Sequence, residues 1–223
     1  MQQQNTTTLD LDLGHIYRPS SLTEKAPLLV LLHGYGSNKE DLFGFADYLS
    51  PELSILALEA PIVLGPERYA WYDIYFEPSQ GKWSDATQAQ RVVQRILANI
   101  ESAIKQINAD ATRLSLLGFS QGSILSLALG LEHPKLAKNI IVLSGYINHD
   151  IFELPKNLTP KLGPKIFMSH GSQDQVIPLA WAQESRDFLM QHQYDLTYRE
   201  FPVGHGVNPE NFAAFKAFLD QNA

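Results

Sequence analysis

A mostly parallel β-sheet flanked by helices is the fold that this sequence predicts, and three observations carry it. Short, almost continuously apolar runs recur at Leu28–Leu32, Ser54–Leu58, Leu114–Leu117, Ile140–Leu143 and Lys165–Met168. Runs of that kind suit strands buried on both faces, as in a parallel sheet. Amphipathic stretches with helical spacing separate the runs, and strand alternating with helix is the pattern of a layered α/β domain. The third observation is composition: of 223 residues, 44% are hydrophobic and 18% charged, a balance that fills a proper core. That length fits one domain over residues 1–223.

The elements follow in order. Met1 to Thr8 is polar and uncharged, and is expected to be a flexible N-terminus with neither the basic start nor the apolar run of a secretory signal. Leu9, Leu11 and Leu13 alternate with Asp10 and Asp12, which predicts a half-exposed edge strand. Ser37 followed by Glu40 reads as a capping box opening a helix to about Leu49. Asp85 caps a long helix whose apolar stripe is Ala89, Val92, Val93, Ile96, Leu97, Ile100, Ile104 and Ile107. Helices are also predicted over Gln121 to Glu132, Leu179 to His192 and Pro209 to Gln221. The last has Asn208 as N-cap and Pro209 at its first position. Leu196 to Phe201 is the expected final strand.

Charge and cysteine content exclude several functions. With 17 basic and 24 acidic residues the net charge is −7, which disfavours a general nucleic-acid or anionic-membrane surface. There is no cysteine, hence no disulfide framework, thiolate metal site or thiol nucleophile. A cytoplasmic location fits. The longest apolar run, Leu28–Leu32, falls far short of the roughly 20 residues that span a bilayer, so no membrane insertion is expected.

The sharpest chemical signal is Gly118-Phe119-Ser120-Gln121-Gly122, placed between a strand and an apolar helix. That context is what a nucleophile elbow requires, because glycines on either side let a strained turn project the serine hydroxyl. A serine hydroxyl needs a base and an orienting acid to become a good nucleophile. His205, in the loop Pro202-Val203-Gly204-His205-Gly206, is the base candidate, whereas His192 falls inside a helical pattern. Asp174, in the loop after the Lys165 strand, is the acid candidate, with Asp150 as its rival. Acyl transfer also needs donors for an oxyanion. The backbone N–H groups of Gln121 and of Tyr35, the latter between Gly34 and Gly36, are the candidates. Six aromatic residues between Pro61 and Trp83 could line an apolar acyl groove or form a small local core. The stretch Ser144 to Pro164, broken by Pro155, Pro160 and Pro164, leaves no room for a full cap domain.

Five motifs occur in one order: Leu-His-Gly-Tyr-Gly (32–36), Ala-Trp-Tyr-Asp-Ile (70–74), Gly-Phe-Ser-Gln-Gly (118–122), His-Gly-Ser-Gln-Asp (170–174) and Gly-His-Gly (204–206). Together they resemble the phospholipase/carboxylesterase family of α/β-hydrolases, the group of acyl-protein thioesterases and small bacterial esterases, over residues 9 to 219. The resemblance implies an α/β-hydrolase fold and a catalytic triad of Ser120, Asp174 and His205. It sets Tyr35 and Gln121 at the oxyanion and Trp71 near the acyl site. It also implies a small acyl ester, thioester or lysophospholipid substrate, no cofactor or metal, and a weak homodimer of the kind common in the family. Ser123, where eukaryotic thioesterases of the family commonly carry a second glycine, and Gly206 after the histidine point toward the bacterial esterase branch. The competing reading is a catalytically silent domain of this fold used for binding.

Overall fold

The computed structural model describes residues 9–77, 81–151 and 163–222. The chain runs β1 (His15–Arg18), β2 (Leu28–Leu32), α1 (Lys39–Phe43), β3 (Ser54–Leu58), β4 (Ile62–Gly65), β5 (Arg68–Ala70), β6 (Ile74–Glu77) and β7 (Gly81–Ser84). It continues with α2 (Ala86–Ile107), β8 (Leu114–Phe119), α3 (Gln121–Glu132), β9 (Asn139–Leu143), β10 (Lys165–Gly171), α4 (Leu179–Gln191), β11 (Leu196–Phe201) and α5 (Pro209–Asn222). Seven strands form one sheet in the order β1-β3-β2-β8-β9-β10-β11. Only β1 is antiparallel, pairing His15 with Leu58 and Arg18 with Ile55.

Each apolar run splits its side chains between the two faces of the sheet. Leu28, Val30 and Leu32 of β2 join Leu56 and Leu58 of β3 in the core beneath α2 and α3. Leu29, Leu31, Ile55 and Ala57 point the other way, onto Leu42, Phe215 and Leu219 of α1 and α5. Each such fully buried aliphatic side chain contributes roughly 1.5–3 kcal/mol. The strands are therefore continuous in apolarity because both faces are covered.

Several sequence expectations hold in detail. Asp85 caps α2 by accepting from Gln88 N–H at 2.9 Å, and Asn208 caps α5 by accepting from Asn211 N–H at 2.9 Å. Two do not. Residues 9–13 form no strand; Leu9 and Leu13 are buried against the α2 core, and Leu13 N–H donates to the Asn99 amide oxygen at 3.0 Å instead of to a neighbouring strand. The edge strand lies further on, at β1. The first helix is also shorter than expected: its cap is Asn38, which accepts from Glu40 N–H, and it ends at Phe43, with a single 3₁₀ turn at Ala46–Tyr48. Ser37 is engaged elsewhere, bridging to Tyr69 and donating its hydroxyl to Asp41. The expected flexible N-terminus (1–8) and Pro155 and Pro160 lie outside the described residues. Among the described residues no helix is long and apolar enough to cross a membrane.

Candidate active site

The sheet fixes where chemistry can sit. From β2 the order moves to β3 on one side and β8 on the other, so a crevice opens at the carboxyl ends of β2 and β8. Leu32 pairs in register with Gly118, which brings the segments that follow them, His33–Ser37 and Ser120, to the same level. The loops after β10 and β11 deliver Asp174 and His205 to the same edge.

Ser120 sits at φ 51°, ψ −117°, a strained conformation for a residue with a side chain. It is held by Ser120 N–H donating to Leu143 O at 2.9 Å and by its own carbonyl accepting from Ser123 N–H and Ile124 N–H. The turn is tight enough that a Cβ on Gly118 would lie 2.4 Å from Gly122 O, and one on Gly122 would lie 2.0 Å from Leu32 O. Both glycines are thus required by close backbone approach.

His205 Nδ1 lies 2.7 Å from Asp174 Oδ2, and His205 Nε2 lies 2.9 Å from Ser120 Oγ. A carboxylate only accepts, so Nδ1 carries the proton and Nε2 presents its lone pair to the serine hydroxyl. Asp174 Oδ1 accepts from Val176 N–H at 2.8 Å and Ile177 N–H at 2.9 Å. Burial alone would raise the Asp174 carboxyl; the His205 bond and the two backbone donors outweigh it and hold it below the ordinary carboxylate value. The two loops are fastened together: Ser172 N–H donates to Phe201 O at 2.7 Å and Gln173 N–H to Val203 O at 3.1 Å. Asp150, the rival acid, is exposed in a turn with its N–H on the Asn148 side chain. His192 lies past the end of α4, its ring on Phe188 O.

Gln121 opens α3, so its N–H is among the first-turn donors that a helix leaves unpaired. Gly36 N–H on Tyr69 O and Ser37 N–H on Gly34 O bracket Tyr35, whose side chain is exposed. The Gln121 side chain has a second job that the sequence did not signal. Its amide oxygen accepts from Trp71 N–H at 2.9 Å and its amide nitrogen donates to Tyr72 O at 2.7 Å.

Trp71 lies behind the site. It is 1% exposed, its indole N–H donates to His33 O at 2.8 Å, and its ring is tilted against His33. His33 is buried with Nδ1 donating to Gly34 O and Nε2 accepting from Ala60 N–H, and burial pushes its imidazole below the usual value. The side chains that instead line a cavity of about 230 Å³ beside Ser120 and His205 include Tyr72, Ile74, Ile124, Tyr146, Val176 and Ile177. Tyr72 and Ile74 belong to the aromatic segment read from the sequence; Tyr146, Val176 and Ile177 come from loops that hydrophobic periodicity does not single out.

The fold is that of the α/β hydrolases, with a serine, a histidine and an aspartate joined at the strand ends. The sequence family described as Phospholipase/Carboxylesterase matches residues 18–223, and the chain belongs to it: by class, a carboxylic ester hydrolase. Acyl-protein thioesterase 1 of Yarrowia lipolytica is 29% identical over 221 residues, covering 87% of this chain and 91% of that protein. Esterase YpfH of Escherichia coli (strain K12) is 27% identical over 188 residues, covering 81% and 76%. The crystal structure of esterase PE8 superposes with a TM-score of 0.80 at 25% identity over 95% of this chain and 99% of that one. The Bacillus cereus carboxylesterase has the same fold, with a TM-score of 0.81 at 20% identity over 95% of both chains.

Proposed function

We propose that this enzyme hydrolyses carboxylic esters and thioesters of short-to-medium acyl chains through an acyl-enzyme on Ser120. The observation that carries the reading is the unbroken chain Ser120 Oγ–His205 Nε2, His205 Nδ1–Asp174 Oδ2, at 2.9 and 2.7 Å. Ser120 Oγ attacks the acyl carbon while His205 Nε2 takes its proton; Asp174 holds the tautomer and stabilises the imidazolium. The N–H groups of Tyr35 and Gln121 receive the oxyanion. His205 then returns the proton to the departing alcohol or thiol. Water, activated by the same nitrogen, releases the acid and restores the serine.

The apolar lining of the cavity supports selection on the acyl side, each methylene it buries contributing about 0.8 kcal/mol until the space is full. Trp71 acts in this reading through backbone: it ties His33, two residues before Tyr35, to the Gln121 side chain. Ester and thioester share one tetrahedral pathway, and relatives carry names of both kinds. Labelling with a fluorophosphonate and intact-mass measurement test the assignment. One adduct on Ser120 is expected, and none in Ser120→Ala, whose hydrolysis of p-nitrophenyl butyrate is lost. Turnover by Ser120→Ala within tenfold of the wild type overturns it.

A further inference from the structure

A second histidine lies close to the same aspartate. His170, near the end of β10, has a fully buried side chain, and its Nε2 lies 3.0 Å from Ile177 O and 3.3 Å from Asp174 Oδ2. Its Nδ1 is buried with no partner. Ile177 O can only accept, so Nε2 carries the proton and donates it to that carbonyl, with the carboxylate close by.

We propose that His170 is a positioning residue for the hydrolytic reaction, anchoring to β10 the Ile177 turn that holds Asp174. The proposal rests on the acyl-enzyme reading given above. Asp174 has two oxygens with different duties. Oδ1 is fixed by Val176 N–H and Ile177 N–H, both donors on its own turn. Oδ2 faces His205 at 2.7 Å, with His170 Nε2 3.3 Å away. The His170 N–H ties Ile177 to β10, so the turn whose N–H groups hold Oδ1 is set by the strand as well as by its own backbone. As mere filler an imidazole with an unpartnered nitrogen is inferior to an apolar side chain, since an unpaired buried polar atom costs stability. What it uniquely supplies here is the donor. Around Asp174 the titratable neighbours are His170 and His205; Ser120, Tyr35, Tyr72 and Tyr146 line the cavity together with His205.

The test compares three variants on p-nitrophenyl butyrate beside the wild type. In His170→Gln the amide nitrogen falls where Nε2 was, and the donor is kept. His170→Asn is too short to reach, and His170→Leu has no donor. Loss of the hydrogen bond that anchors this turn predicts a fall of about tenfold in kcat, with KM unchanged, for the Asn and Leu variants and recovery in Gln. A carboxylate whose Val176 and Ile177 donors are loosened draws protons more strongly to the Asp174–His205 pair, so the acid limb of the kcat/KM profile also moves to higher pH in Asn and Leu and stays in place in Gln. Equal kcat and equal limbs in all three variants overturn the proposal, because a packing role does not distinguish Gln from Asn by donor position. A measurement on the unaltered chain guards against variants that do not fold. ¹⁵N NMR of histidine-labelled protein should show His170 protonated at Nε2, and protonation at Nδ1 overturns the proposal. A wild-type chain inert toward every ester refutes the acyl-enzyme reading itself, whereas an active wild type with indifferent variants refutes only the role of His170.

Discussion

Gly122→Ala should cripple the enzyme although the atoms nearest the added methyl are backbone, not substrate or the side chains of Ser120, His205 and Asp174. A Cβ at Gly122 would lie 2.0 Å from Leu32 O, 2.5 Å from Leu32 C and 2.6 Å from His33 O, all backbone atoms at the end of β2. No side-chain rotation relieves such a contact, so α3 and the end of β2 must part by about 1 Å. Those segments carry the two proposed oxyanion donors, Gln121 N–H directly before Gly122 and Tyr35 N–H two residues after His33. A misplacement of about 1 Å can cost about 10²-fold in rate, or roughly 2.7 kcal/mol of barrier. Overpacking adds about 1–3 kcal/mol of lost stability. Steady-state kinetics on p-nitrophenyl butyrate should therefore show kcat falling about 10²-fold with a smaller change in KM, and a lowered thermal midpoint. Gly206→Ala is the control: it adjoins His205, yet a Cβ there meets nothing within 4 Å. A Gly122→Ala enzyme within threefold of the wild type, or a Gly206→Ala enzyme equally impaired, refutes the reasoning.

Ser120→Gly should abolish turnover yet raise stability by about 1 kcal/mol, because φ 51° with ψ −117° is strained for serine and free for glycine; an unchanged or lower unfolding midpoint contradicts this. Trp71→Phe removes the indole donor from the buried His33 carbonyl, at a cost of about 1–3 kcal/mol, while the order of preference among C2 to C8 acyl esters is retained. An altered chain-length profile with an unchanged melting point would instead put Trp71 in contact with the acyl chain. The buried His33 imidazole binds a proton less readily in the folded than in the unfolded chain, so unfolding takes up a proton below about pH 6.5 and stability declines with falling pH. Asp174, held below the ordinary carboxylate value, adds stability above about pH 4 that is lost as pH falls further. Urea midpoints measured from pH 7 down to pH 3 should decline through both windows; a flat curve counts against both groups.

The buried strands were legible because double-sided burial writes an unbroken apolar run: Leu28–Leu32 and Ser54–Leu58 are read from sequence to the residue. The N-terminal edge was misplaced because alternation reports burial, not hydrogen-bond partners. Leu9 and Leu13 are buried as alternation predicts, but against a helix. The first helix was overextended because two cap-forming residues stand side by side, and Ser37 is drawn off to Tyr69, leaving Asn38 as the cap. Between Ala60 and Asp85 two hairpins, β4–β5 and β6–β7, form where aromatic content had obscured the strand period. Ser120, His205 and Asp174 stood out as glycine-flanked or loop residues at strand ends, and they meet within hydrogen-bond distance. The part played by the Gln121 side chain and the contact of His170 with Asp174 had no signature, since both depend on which distant segment a side chain faces.

The hydrogen bond between Ser120 and His205 closes a loop of 85 residues, and the strands that position the two are separated in the sheet by β9 and β10. No contiguous fragment shorter than that loop can hold both groups, and the sheet must be zipped from β8 to β11 before they meet. Long-range pairings of this sort form late and slowly in folding, after loop entropy has been overcome. Esterase activity in this chain is thus a sensor of completed topology: during refolding it will appear with the last strand, β11, and not with the first compact state.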